Sequence, residues 1–301
     1  MKRLSPLFLV LILTVSGCGD NLENPAPSVV LPPPAAVKAL SVDQSTVDFQ
    51  WSAPSGTADS TIAGYVAQVG GRTDTLSRST TSILVDSLLP GTVNFAVSLL
   101  KTDGRRSDPA TLRWAPAARF DSAYEVHERT TFVSTDPDGF DVGTSTTNPS
   151  AMVIDLNDPM VQQTLDLFFN GDTVETHQSL SMWSANLLLG PFNATLFSTR
   201  TDASPTLDFP LGAFPAEDTF VKDSVTVVDN TIYYAKVIGD PQQVNYARIH
   251  VHIKAGTFPP NRIIEVRVSL QRVPGLQFAL GAQPDPRKMF GFRDFLFYYH
   301  S

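Results

Sequence analysis

Three carboxylates and a glycine lie within six residues, in the segment Asp136-Pro137-Asp138-Gly139-Phe140-Asp141. Clustered carboxylate oxygens on a sharply bent turn are the ligands that Ca²⁺ prefers in proteins. The spacing differs from that of the EF-hand loop, and no glutamate follows in the position that would bind the ion with both oxygens. Asp, Pro and Gly are also the ordinary residues of a tight turn. The sequence therefore favours a plain turn, with a calcium site at Asp136, Asp138 and Asp141 as the alternative.

Two histidines lie two residues apart in an alternating segment, at His250 and His252. This spacing places both imidazoles on one face of a strand, where they could bind one metal ion. Arg248 and Lys254 share that face, and their positive charges disfavour a metal ion. We therefore interpret the face as the solvated side of a sheet, and we interpret His127 in the same way.

One tryptophan, Trp183, lies in a polar stretch, residues 179–186, which we interpret as a loop. Because loop tryptophans are frequent ligand contacts, Trp183 is a candidate for contacting a glycan or a protein. A second aromatic group of six rings lies in Phe290–His300. Such rings could stack on sugars, but an aromatic-rich final strand is more typical of a core.

The sequence contains no Gly-x-Ser-x-Gly elbow, no His-Glu-x-x-His motif and no phosphate-binding glycine loop. We therefore predict that the protein is not an enzyme and needs no cofactor. A glycosidase-like hydrolase is the alternative, and it would require two carboxylates about 5–9 Å apart across a cleft. A carboxylate beside His127 or His177 in a concave pocket would also support that alternative.

The composition indicates which elements must position these residues. Charged residues make up 17% of the chain, and abundant Thr, Ser, Val, Phe, Gly and Pro favour strands over helices. Residues 37–116 contain short alternating segments separated by turn residues; in one of them Val47, Phe49 and Trp51 alternate with polar residues. This pattern predicts an all-β sandwich.

Several features of residues 37–116 lie at characteristic places. They are Pro34 near the start, Trp51, Tyr65, the turn Leu88-Leu89-Pro90-Gly91-Thr92, and Ser107-Asp108-Pro109-Ala110 before the last strand. In these features the segment resembles a fibronectin type III domain. The resemblance implies an immunoglobulin-like sandwich with Trp51 and Tyr65 in its core, acting as a spacer or an interaction module. Phe95 lies near the position where the family usually has a tyrosine, so a hydrogen bond worth about 1 kcal/mol is absent there.

Residues 117–301 continue the β pattern and predict a larger antiparallel β-sandwich or jelly roll. Its clearest hairpin joins Ala247–Lys254 to Ile263–Arg272, and each arm alternates apolar with polar residues. We expect each arm to have one face on a core and one face in solvent. Further predicted strands are Ala123–Val133, Ala151–Leu156, Leu165–Phe169, Ala194–Ser198, Ser224–Val228, Ile232–Val237 and Phe292–Tyr299.

The N-terminal residues 1–17 have the plan of a secretory signal peptide: the basic residues Lys2 and Arg3, the apolar run Leu7–Val15, and small residues. With Cys18, the sequence Val15-Ser16-Gly17-Cys18 resembles the bacterial lipobox. The resemblance implies cleavage before Cys18 and attachment of lipid to its sulfur. Residues 18–36 then read as the lipidated cysteine followed by a proline-rich tether.

Cys18 is the single cysteine of the chain, so it has no partner for an intramolecular disulfide. Removing Lys2 and Arg3 with residues 1–17 changes the formal net charge from −8 to −10, which disfavours nucleic acid as a partner. We predict a lipoprotein of the bacterial cell envelope, anchored to a membrane, most simply the outer membrane. Its expected role is a non-catalytic adhesion, binding or structural module for a glycan or a protein.

Overall fold

The computed structural model describes residues 31–55, 60–129, 136–144, 150–156, 164–171, 179–188, 192–239, 243–257 and 261–281. In these described ranges nineteen strands form four sheets, and hydrogen-bonded neighbours within each sheet are antiparallel. Two short 3-10 turns are present, Ala185–Leu187 and Glu217–Thr219. Within these ranges no helix has the length and apolarity to cross a membrane. The predicted all-β class with antiparallel sandwich packing is confirmed.

The first sandwich consists of two sheets. The smaller sheet has, in spatial order, β1 (Ala35–Ser41), β2 (Val47–Ser52) and β5 (Ser82–Val85). The larger sheet has, in spatial order, β19 (Ala279–Gly281), β7 (Ala110–Trp114), β6 (Val93–Lys101), β3 (Ile62–Val69) and β4 (Arg72–Ser77).

The core of the first sandwich lies between these sheets, because the alternating apolar residues of β2 and β6 point toward each other. Phe49 and Phe95 stack with their ring centroids 4.3 Å apart. Trp51 contacts Tyr65 edge to face at 5.6 Å, and both side chains are buried. The predicted core positions of Trp51 and Tyr65 are confirmed.

The second sandwich also has two sheets. The six-stranded sheet has, in spatial order, β14 (Phe220–Lys222), β13 (Ala194–Ala203), β16 (Thr231–Ile238), β17 (Val244–Ile253), β18 (Ile263–Gln271) and β8 (Ala118–His127). The five-stranded sheet has, in spatial order, β10 (Met152–Ile154), β9 (Gly139–Asp141), β11 (Leu167–Gly171), β12 (Leu180–Ser184) and β15 (Ser224–Thr226).

The predicted hairpin is formed by β17 and β18, which pair from Tyr246–Gln271 to Ile253–Ile264. The other predicted strands within the described residues are also present, although their ends differ by several residues. The prediction at Phe292–Tyr299 and the last residues of the prediction at Ala123–Val133 lie outside the described ranges, as do Cys18 and His177.

The prediction of a solvated face on β17 is wrong at two positions: Arg248 is 1% exposed and His250 is fully buried. The cause is a segment between β13 and β14, residues 204–216, which we call the strap. It covers the outer face of the six-stranded sheet at these residues. His252 and Lys254 lie further along β17 and retain 34% and 42% exposure of their side chains, so alternation predicts the face only where nothing covers it.

The packing of the two sandwiches is continuous across residue 116. The strand β19 comes after the last strand of the second sandwich, yet it pairs with β7 of the first. The Trp114 indole and the Ala117 amide both donate to the Ser41 hydroxyl, each at 3.0 Å. One hydrophobic cluster therefore includes Phe49 of β2 together with Tyr246 of β17 and Phe278 beside β19.

Candidate functional site

The outer face of the five-stranded sheet carries the sequence-derived candidates Asp141 and Trp183. Register places Gly139 opposite Phe168, and Phe168 opposite Trp183. A Cβ on Gly139 would lie 2.5 Å from Cδ1 of Leu165. Glycine therefore leaves room for Leu165 to pack over the sheet, and an apolar layer forms on this face.

Next to that row, Asp141 and Asp166 lie side by side on neighbouring chain segments. Phe140 pairs with Leu167 at the adjacent position, and the amide of Asp166 donates to the Phe140 carbonyl at 3.1 Å. The two aspartate side chains are hydrogen-bonded to each other. Asp141 is 1% exposed and Asp166 is fully buried. The pair is thus an acid dyad sealed from solvent.

Amide donors hold the dyad in place. Val142 N and Asn193 Nδ2 each donate to Asp166 at 2.8 Å, one to each carboxyl oxygen. Gly143 N donates to Oδ1 of Asp141 at 2.7 Å. Oδ2 of Asp141 receives no N–H from the described residues.

The electrostatics of the dyad disfavour ionisation of both carboxyls. Burial raises the pKa of Asp141. Burial, followed by the charge of Asp141, raises the pKa of Asp166 well above its ordinary value. Because two carboxyls in contact cannot both ionise without strong repulsion, the second ionisation of the pair is disfavoured.

The three carboxylates of the predicted turn have different partners. Asp136 approaches His127 at 3.7 Å. Asp138 is buried, its Oδ1 accepts from Leu156 N at 3.2 Å, and burial raises its pKa. Asp141 belongs to the dyad. Among the described residues no group of three or more His, Cys, Asp or Glu could hold a metal ion. The calcium alternative of the sequence analysis stays a prediction.

Trp183 lies in β12 and not in a loop, which corrects the sequence-based interpretation. The polar residues around it alternate along a strand, and its neighbours are Phe168 on one side and Ser224 on the other. Its ring centroid is 6.2 Å from that of Phe168. The side chain is half-buried, and its indole Nε1 has no hydrogen-bond partner within the described ranges.

The chemistry that Trp183 offers is that of a partly exposed aromatic ring at the edge of an apolar layer. Met152, Leu188 and Phe192 are also only partly buried and pack against the same cluster. Such a surface provides van der Waals and stacking contacts, which suit it to binding. The indole Nε1 is itself buried and does not reach that surface.

A buried ion pair in the second sandwich was missed by the sequence analysis. Glu128 is fully buried and accepts from Arg262 at 2.6 Å and 2.7 Å. Arg262 also donates to the Ser179 carbonyl at 3.0 Å. A Cβ on Gly171 would lie 1.8 Å from Oε1 of Glu128. The pair and this glycine join the ends of both sheets, which indicates a structural role.

Two further histidine–carboxylate pairs lie at the surface. Nδ1 of His252 is 2.9 Å from Oδ1 of Asp229, and His127 lies near Asp136. In the register of the six-stranded sheet, Glu265 is opposite both His252 and Glu125. Lys254 and Arg267 form ion pairs with the two glutamates. This is a charge-balanced sheet face in which each of the glutamates already has a cation partner.

The sequence matches no protein-family model and no curated protein. Among solved structures, one similar chain comes from a structure of titin kinase and its flanking domains. The sequence identity is 10%, the match covers 79% of this chain and 37% of that chain, and the TM-score is 0.22. A similarity of this size supports no statement about function.

Proposed function

We propose that the protein is a lipid-anchored lipoprotein of the bacterial cell envelope whose folded part is a non-catalytic binding or structural module. The sequence around Cys18 and the proline-rich residues after it support the anchor. The observation that carries the module is the sealed acid dyad. The two adjacent carboxyls, Asp141 and Asp166, are buried against each other, so they cannot reach a substrate or water.

We further propose that the first sandwich is a fibronectin type III domain. Its strands β1–β7 divide three and four between two antiparallel sheets, which is the arrangement of immunoglobulin-like sandwiches. Phe95 fills the core by stacking on Phe49. In this proposal the domain is a spacer that supports the second sandwich, because β19 and the shared core leave it firmly attached to its neighbour.

The ligand surface in this proposal is the apolar layer around Trp183, and the ligand is a glycan or a protein. A sugar ring has apolar C–H faces that stack on aromatic rings, such as the partly exposed ring of Trp183. A protein would meet the same layer through an apolar side chain. Both contacts depend on the indole ring.

We expect Trp183→Ala to lower the binding of the full chain to its ligand at least about tenfold, the loss of about 1.4 kcal/mol or more that is typical of a central aromatic contact. A broad glycan array read with the wild type identifies the sugar, and the variant is then titrated against it. Leu89→Ala is the matched control, because Leu89 is 81% exposed on the first sandwich. Equal binding by Trp183→Ala and the wild type would remove this surface from the proposal.

A further inference from the structure

The strap, residues 204–216, is held on the six-stranded sheet by two buried basic side chains of β17. Nη2 of Arg248 donates to the carbonyls of Leu207 and Phe209 at 3.5 Å and 2.5 Å. Nε2 of His250 lies 3.0 Å from the Ser204 carbonyl. A carbonyl oxygen can only accept, so Nε2 carries the hydrogen and His250 is the donor.

The other end of the strap is attached to the first sandwich. Leu211 and Ala39 exchange two backbone hydrogen bonds of 2.8 Å and 2.9 Å. Phe214 packs on Phe278 with ring centroids 5.2 Å apart and on Tyr246 at 5.7 Å. The strap therefore spans from the outer face of the second sandwich to the core of the first.

The second nitrogen of His250 is the weak point of this attachment. With the hydrogen on Nε2, Nδ1 is bare, buried and without a hydrogen-bond partner in the described part of the chain. A second proton on the ring would have no acceptor there. A buried charge without an acceptor is costly, so the imidazole stays neutral while the strap covers it.

The charged groups around His250 also disfavour a second proton. Arg267 is directly opposite on β18, and Arg248 lies two residues away on the same strand and face. His252 on that face pairs with Asp229, the nearby anion from the turn before β16. The residue opposite on β16 is Ile232, which has no charge. Within the strap, the hydrogen-bond partner of His250 is the Ser204 carbonyl. The carboxylate of the strap residue Asp208 pairs with Arg119 instead.

We propose that His250 is an acid-sensitive latch: protonation of its imidazole requires water and releases residues 204–209 of the strap from the sheet. Burial lowers the pKa of His250 below its ordinary value. A base whose pKa is lower in the folded state than in the unfolded state stabilises the folded state while the base is neutral. This stabilisation is complete at pH values above about 6.5, the ordinary pKa, and is lost as the pH falls below it.

Hydrogen–deuterium exchange of the full chain, measured at about pH 7.5 and about pH 5 and corrected for intrinsic rates, tests the latch. We expect the opening constant of the segment 204–209 to increase, by up to about tenfold per pH unit between the two pKa values. We expect little change in the paired strands β3 and β6. In His250→Gln, whose amide can still donate to Ser204 but does not titrate here, the acid-induced increase should disappear.

The matched control is His252→Gln, because His252 is exposed on the same strand and should leave the acid response intact. Equal protection of the strap at both pH values would overturn the proposal, and so would an acid response that persists in His250→Gln. If that variant does not fold, the wild-type profile decides. Measured at intermediate pH values as well, an opening that is already complete above about 6.5 contradicts a histidine with a lowered pKa.

Discussion

At the scale of single residues, the main feature is a dyad of hydrogen-bonded aspartates buried in a β-sandwich. Asp166 and Asp141 have no access to solvent, and amide donors fix both carboxyls. In proteins such pairs shift their titration because the second negative charge is both buried and repelled. The dyad therefore links the stability of the five-stranded sheet to pH in the alkaline direction.

We expect Asp166→Asn to remove this alkaline dependence. The raised pKa means that the folded state binds more protons than the unfolded state, so the dyad's contribution to stability falls as the pH rises from the ordinary carboxyl range, about 4, through the raised value. An asparagine can donate to Asp141 at every pH, but it keeps only one of the two acceptor oxygens that Val142 and Asn193 use. Urea denaturation at a series of pH values gives the free energy of unfolding for both proteins.

The control for this measurement is Asp86→Asn, which changes an exposed carboxylate on the first sandwich and should retain the wild-type pH profile. The stability of Asp166→Asn relative to the wild type should therefore rise with pH. A difference that stays constant over the series would show that the dyad has no raised pKa in the folded state.

At the scale of elements, long alternating segments were predictable and short ones were not. Period-two alternation of apolar and polar residues predicts both arms of the β17–β18 hairpin and the strand β2. The strands β9, β14 and β19 have three residues each, too few for a pattern. Their partners are distant in sequence, so tertiary packing defines them.

The candidate site was predictable only in part for the same reason. Asp138 and Asp141 drew attention as a cluster, but Asp166 is 25 residues further along the chain than Asp141 and only the register of β9 and β11 brings it close. Trp183 was singled out as a candidate ligand contact and was placed in a loop, whereas it lies in β12. Burial of His250 and Arg248 depends on the strap, whose sequence shows no periodicity.

We expect Phe278→Ala, beside β19, to lower the free energy of unfolding by about 3–5 kcal/mol, the usual cost of deleting a buried phenylalanine. Phe278 is fully buried and contacts Trp114 and Phe214. Because Phe278 joins the two sandwiches, its substitution should destabilise both of them. In a Trp183→Phe background, the fluorescence of Trp51 and Trp114 reports the unfolding of the first sandwich. The fluorescence that Trp183 adds in its presence reports the unfolding of the second sandwich.

Leu89→Ala, which changes an exposed side chain, is the control and should cost less than about 0.5 kcal/mol. If Phe278→Ala shifted the transition of one sandwich and left the other unchanged, the two would be separate folding units and the shared core would have no energetic role. If Phe278→Ala lowered the free energy of unfolding no more than Leu89→Ala does, that result would also contradict a stabilising role of the β19 region.

At the scale of the whole molecule, the described chain is a pair of sandwiches joined by a shared core, the returning strand β19 and the strap. This arrangement suits a body that must present one surface at a fixed orientation. Residues 18–36, rich in proline, would then hold that body away from the membrane. A formal charge of −10 after removal of residues 1–17 would keep it from anionic surfaces.

The anchor at Cys18 is the central claim of this account, and mass analysis of the protein isolated from bacterial membranes tests it most directly. Two or more acyl chains, each methylene contributing about 0.8 kcal/mol, give a stable anchor. We predict that the N-terminal peptide begins at Cys18 and carries diacylglycerol on its sulfur, and that Cys18→Ser moves the protein out of the membrane fraction. An unmodified thiol at Cys18 in the membrane-derived protein would contradict the account.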